Sequence, residues 1–168
     1  MLNLEEQFSQ IYDQYIEKIY RFIYLKVNSQ EIAQDITSKV FMSGWESFKK
    51  EGVNIKKPGS FLYQIARNSV IDYYRKKGKT NIISTDSVAE LSDNKATLEN
   101  KVLLDADVAM VKLAIQKLKK DYQDVLIWHY LDDMSIGQIA EMIDKKEGTV
   151  RVMLHRGLKD LKGIIKES

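Results

Sequence analysis

Apolar side chains return every three or four residues along most of this chain, and very little interrupts them. The 168 residues hold one proline and eight glycines. Those two residues are the strongest local breakers, so their scarcity favours a few long helices over many short strands. Residues 5–27 set the pattern: Phe8, Ile11, Tyr12, Tyr15, Ile16, Ile19, Ile23 and Val27 share one face of an amphipathic helix. Leu, Ile, Val and Phe together make up 49 residues, or 29%. That is too many for a disordered chain, and the length suits one ordinary domain or two small ones.

Punctuation divides the rest. Asn28 to Glu31 reads as a capping box, an acceptor followed three residues later by a carboxylate, opening a second helix. That helix buries Ile32, Ile36, Val40, Phe41 and Trp45. The polar stretch KKEGVNIKKPG, with Gly52 and Pro58, is a loop, because proline keeps the residue before it out of a helix. A third helix starts near Ser60 and stops at Gly78. Residues 80–105, rich in Ser, Thr, Asp and Asn, read as a linker with room for a short helix towards its end. Beyond it, Tyr122, Val125, Leu126 and Trp128 lie on one helix that breaks near Asp132 and Asp133. Ser135 and Gln138 form another capping box, before a short helix with Ile136, Ile139, Ala140 and Ile143 inward. A tight DKKEG turn then leads to a longer helix from about Gly148, with Val150, Leu154, Leu158 and Leu161 inward. The expected fold is all-α: domains at 1–79 and 106–168 joined by the linker, the second with the short helix, turn and longer basic helix of a helix-turn-helix.

Charge separates the same segments. Residues 1–79 carry 13 basic and 9 acidic side chains, 80–105 carry 2 and 5, and 106–168 carry 11 and 10. The basic residues cluster in two runs, Arg67 to Lys79 and Lys145 to Lys166. Two basic runs joined by an acidic connector suit a polyanion gripped at two places. Several classes of chemistry are excluded. No cysteine is present, so disulfides, thiol catalysis and Cys-based zinc sites are out. No phosphate-binding loop, nucleophile elbow, dinucleotide fingerprint or paired metal-binding histidines occur, and no cofactor is expected. His129 and His155 stand 26 residues apart as packed or surface side chains, and Asp132–Asp133 reads as a solvated turn. Trp45 and Trp128 sit at core positions. The apolar runs are too short to span a bilayer, and the N-terminus MLNLEEQFSQ lacks the basic-then-apolar order of a secretory signal, so the cytoplasm is the expected setting. On the residues alone, a helix-turn-helix regulator acting without polymerase, or a helical adaptor contacting an acidic protein, stays open beside a two-handed DNA binder.

Longer strings narrow the choice. IAQDITSKVFMSGW followed by FLYQIARNSVIDYYRKK resembles the second conserved region of bacterial RNA polymerase sigma factors. DYQDVLIWHYLDDMSIGQIAEMIDKKEGTVRVMLHRGLKDLK resembles their fourth region. Two regions with only a linker between them look like the small extracytoplasmic-function type. The resemblance implies no catalysis by this chain: such a factor docks on core RNA polymerase, directs it to promoter DNA and helps melt the start region. It also implies a monomer when free, with an anti-sigma factor as a further partner. By resemblance, the helix carrying Asp35, Ser38, Lys39 and Phe41 docks on the large β′ subunit, although the family usually has Gln and an acid at Ser38 and Lys39. The loop with Asn54, Lys56 and Lys57 matches the pocket for a flipped base of the downstream (−10) element. Arg67, Asn68, Tyr73, Tyr74, Arg75, Lys76 and Lys77 match the helix that grips that DNA. Such residues suit opened strands, since tyrosine stacks on base faces while Lys and Arg neutralise phosphates. One of the two adjacent tyrosines is expected in the core. In the last helix Arg151, His155 and Arg156 are expected to read or grip the upstream (−35) element in the major groove, with Lys145, Thr149 and Lys159 on phosphates. Val152 and Met153 depart from the small polar and basic residues usual there, which leaves fewer polar readers and more reliance on DNA shape.

Overall fold

A computed structural model describes residues 2–51, 56–79 and 106–167. The chain divides into two units. The first holds α1 (Leu4–Val27), α2 (Gln30–Glu51) and α3 (Pro58–Lys79). The second holds α4 (Ala106–Gln116), α5 (Lys120–Leu126) running on into a π-helical turn (Ile127–Leu131), α6 (Ile136–Ile143) and α7 (Glu147–Glu167). Among the described residues there is no strand, and no helix is long and apolar enough to cross a membrane. The expected linker, 80–105, lies outside the described residues.

In the first unit each helix packs on the other two. Ile19, Phe22 and Ile23 of α1, Ala33 and Val40 of α2, and Leu62, Ala66 and Val70 of α3 are all but fully buried. These are the positions that a three-to-four spacing places on one face. Gly44 of α2 marks where α3 comes close, since a Cβ there would stand 2.8 Å from Leu62 Cδ2. Local chemistry sets the ends. Asn3 and Glu6 close a reciprocal capping box at the start of α1. At its other end Asn28 adopts the left-handed conformation (φ 55°) and donates its N–H to the Tyr24 carbonyl. The cap of α2 is therefore Ser29, not Asn28: the Ser29 hydroxyl accepts from the Ile32 N–H at 3.3 Å. Asn28 cannot hold a left-handed helix stop and an extended N-cap at once. Helix α3 opens at Pro58, two residues ahead of Ser60, because proline's fixed φ and missing N–H suit the first helical position. It also runs through Gly78, which is no stop.

The second unit is built on α7, which packs against α4, α5 and α6. Trp128 is fully buried, beside Val125, Ile127, Ile139 and Val150 as other buried residues of this core. The helix expected through Tyr122–Trp128 changes type midway: from Ile127 it widens to a π-turn, and the Asp132 N–H reaches the Ile127 carbonyl five residues back at 3.1 Å. Gln123, buried, sends Nε2 to the carbonyls of Ile115 (2.8 Å) and Leu118 (3.1 Å), satisfying the open end of α4. The Ser135–Gln138 capping box is present with both of its bonds. Gly157 lets α7 close on α5, since a Cβ there would lie 3.2–3.3 Å from Leu126 and Tyr122.

Candidate nucleic-acid interface

The second unit presents its long helix through a stiff turn. At the end of α6, Asp144 is left-handed (φ 56°) and the Lys145 N–H bonds the Ala140 carbonyl at 2.9 Å, the six-to-one bond of a Schellman ending. Helix α7 then begins at Glu147. Its inner stripe is Val150, Leu154 and Gly157, all buried, with Leu158 and Leu161 half-buried. Ile139 and Ala140 of α6 are buried, whereas Ile136 and Ile143 are only half-buried and Met142 joins the core instead. Opposite the stripe, Thr149, Arg151, Val152, His155, Arg156 and Lys159 are all exposed, and Lys145 is exposed in the turn. A helix N-terminus leading into a basic, solvent-facing helix, with a shorter helix fixed behind it, is the arrangement that lays side chains on base edges in a major groove. Arg151 Nη2 lies 3.8 Å from Glu147 Oε2, an exposed pair that salt and phosphate can readily displace.

In the first unit the expected DNA-gripping residues of α3 do not share one face. Asn68, Arg75 and Lys76 are exposed, whereas Arg67, Tyr73, Tyr74 and Lys77 are half-buried along the flanks. Neither tyrosine enters the core fully. The Tyr74 hydroxyl donates to the Lys26 carbonyl of α1, which ties the end of α3 down. Tyr73 meets the Tyr74 ring edge-on at 5.2 Å and carries Lys77 Nζ 5.7 Å from its ring centre. Lys56 and Lys57 are exposed just ahead of α3, and the Lys57 carbonyl accepts from the Phe61 N–H. Asn54 lies outside the described residues.

On α2, Asp35, Ser38 and Lys39 are exposed, with Lys39 Nζ 3.0 Å from Asp35 Oδ2. Phe41, expected on the buried face of α2 and also at the polymerase contact, is 5% exposed and belongs to the core, so it presents no docking surface. Its ring meets Tyr12 at 4.9 Å and Phe8 at 6.5 Å. With Phe8, Tyr12, Met42 and Trp45 it lines an open, largely apolar groove of about 590 Å³ between α1 and α2. The α1 side of this groove was not foreseen. Met42, 69% exposed and off the apolar stripe, was the one signal available. Trp45, expected as core, is half-buried on the groove wall. Among the described residues no three His, Asp or Glu side chains are grouped to hold a metal ion.

Comparison with known proteins follows the same division. Residues 11–80 match the family "Sigma-70 region 2" and residues 109–161 match "Sigma-70, region 4". The chain is 28% identical over 166 residues to the ECF RNA polymerase sigma factor SigW of Bacillus subtilis, covering 94% of this chain and 88% of that protein. It is 26% identical over 159 residues to the ECF RNA polymerase sigma factor BldN of Streptomyces coelicolor, covering 93% of this chain but spanning only 59% of that longer protein. In fold it is similar to the sigma factor RpoE of Bartonella quintana, solved with the anti-sigma factor NepR, at a TM-score of 0.73 and 17% identity over 96% of this chain and 98% of that one. Carrying a region 2 and a region 4 in that order, on two helical units, this chain belongs to the sigma-70 family, as an extracytoplasmic-function sigma factor that directs RNA polymerase to promoters.

Proposed function

We propose that the two units divide promoter recognition as the charge pattern suggests: 1–79 docks polymerase and engages the opened downstream element, 106–168 binds the duplex upstream element, and 80–105 tethers them. The observation that carries this reading is the outer face of α7, where Thr149, Arg151, Val152, His155, Arg156 and Lys159 are all exposed away from the buried stripe, with Lys145 exposed in the turn before it. In the first unit, Asn68, Arg75 and Lys76 hold phosphates from the outer face of α3, Arg67 and Lys77 support them from its flanks, and Lys56 and Lys57 extend that surface. Tyr73 offers the stacking ring, because Tyr74 is engaged with α1. Asp35, Ser38 and Lys39 make the polymerase contact from α2, with Phe41 acting from beneath as the floor of the groove. The chain works in the cytoplasm without catalysis of its own, as a monomer when free, with an anti-sigma factor as a further partner.

Run-off transcription with core polymerase on a genomic fragment library tests the reading. Discrete start sites should appear only when the chain is added. Asp35→Ala should lower polymerase affinity with promoter choice unchanged, and Arg156→Ala should flatten that choice with polymerase affinity unchanged. DNA binding that is the same with and without polymerase would favour a free-standing regulator instead.

A further inference from the structure

Val152 stands where a solvent-facing helix ordinarily carries a charge. It is 46% exposed, the one large apolar side chain among the exposed residues of α7. At 3.6 residues per turn it points opposite the stripe of Val150, Leu154 and Gly157, into the middle of the outer face. Thr149 lies one turn before it, and His155 and Arg156 one turn after. A β-branched residue forms helix less readily than Lys, Glu or Ala, so the stability of α7 does not call for valine here. Nor does packing, since its buried neighbours lie on the other side.

The groups around Val152 donate hydrogen bonds and suit phosphates and purine acceptors. An isopropyl group neither donates nor accepts. On the major-groove edges of the four base pairs the apolar feature is the C5-methyl of thymine. We propose that Val152 is a specificity-determining residue that packs on a thymine methyl in the upstream promoter element; this rests on the reading that α7 enters the major groove. Arg151, His155 and Arg156 then fix the helix on polar edges around a T·A pair selected by contact and not by hydrogen bonding. Cytosine at that position lacks the methyl and leaves its amino group facing a side chain that cannot accept.

The test uses the full chain assembled with core polymerase. Duplexes are first selected from a library randomised in the upstream element. Each thymine of the selected element is then replaced singly by deoxyuridine, which removes only the methyl, and affinity is measured for the wild type, Val152→Ala and Val152→Ile. At one position the uracil duplex should bind about threefold to tenfold more weakly to the wild type and to Val152→Ile. With Val152→Ala the same change should cost less than about twofold, because the contact is already gone. If no thymine shows a uracil effect that depends on residue 152, while Arg156→Ala still weakens the same duplex, the proposal is overturned and α7 remains the DNA helix. If Arg156→Ala is also without effect, the proposal and the reading of α7 fall together.

Discussion

In the first unit three helices of 24, 22 and 22 residues pack around Phe22, Ile23, Val40, Leu62 and Val70, whereas in the second only α7, with 21 residues, is long. There α4 and α6 have 11 and 8 residues, and α5 has 7 before it runs on into the five-residue π-turn. Helices that short are marginal on their own, so their ends must be held. The buried polar residues follow the difference. Those described in the first unit are Lys26, Ser29 and Thr37, and in the second Lys112, Gln123, Asp124 and Asp132. The Thr37 hydroxyl donates within its own helix to the Ala33 carbonyl at 2.6 Å, while Gln123 bridges from α5 to the end of α4. A bundle of long helices gains its order from side-chain area. A helix-turn-helix must fix a short helix at one angle to a long one, and hydrogen bonds at helix ends carry the direction that apolar contact lacks.

Four measurements would break or sharpen that contrast. Truncating the aromatic cores should be most severe and alike in the two units: Phe22→Ala and Trp128→Ala are each expected to cost about 3–5 kcal/mol. Hydrogen exchange followed over α1–α3 and α4–α7 separately would show it, and a much smaller loss at Trp128 would mean that polar bonding outweighs the core there. The buried amide comes next. Gln123→Leu should destabilise α4–α7 by about 1–3 kcal/mol, since the Leu118 carbonyl loses the Gln123 amide and the Ile115 carbonyl is left with the Leu118 N–H alone. Thr37→Val should come within about 1 kcal/mol of wild type, because it deletes only a second bond to a carbonyl already in the helix. Equal penalties would erase the distinction between the units. Caps give a smaller difference: Ser135→Ala and Asn3→Ala each remove a capping box worth about 0.5–2 kcal/mol, and the loss should fray the 8-residue α6 far more than the 24-residue α1. Amide protection in the first turn of each helix reads it directly.

The smallest expected effect is confined to the first unit. Tyr20 and Tyr24 stack with ring centres 5.8 Å apart. Burial raises both hydroxyl pKa values above 10.0, and in Tyr24 the charge of Tyr20 adds to the rise. The folded state thus keeps protons that the unfolded state releases, so this contribution is intact below the unfolded pKa and stability falls as pH climbs through the folded values. Tyr20→Phe with Tyr24→Phe should flatten the alkaline limb of urea midpoints above about pH 10. An unchanged slope would show that the pair does not couple to folding.

Much of this architecture could be read from local pattern, because helix faces and caps are local events. The spacing of Ile19, Ile23 and Val27 and the Ser135–Gln138 box were legible for that reason. Where two neighbours could play one part, sequence alone did not choose: Asn28 and Ser29 both make good caps, and the left-handed stop of α1 decided between them. The π-turn at Ile127–Leu131 has the composition of ordinary helix, so its extra residue was invisible. At the candidate interface, the exposure of the outer residues of α7 was legible because one helix sets it. The residues of α3 came as two consecutive runs, 67–68 and 73–77, and consecutive residues must split between outer face and flanks once α1 packs behind them. The groove needed α1 and α2 together, and no single segment encodes it.

The separation of Val150, Leu154 and Gly157 from the outward residues of α7 also bears on how such a protein changes over generations. No position belongs to both sets, so a substitution on the outer face leaves the packing stripe alone. Exposed substitutions of this kind usually shift stability by no more than about 0.5 kcal/mol. On the proposed reading of α7, a duplicated copy can drift towards a new set of genes one outer residue at a time while staying folded throughout, whereas a side chain at Gly157 would crowd Leu126 and Tyr122 and force them to shift.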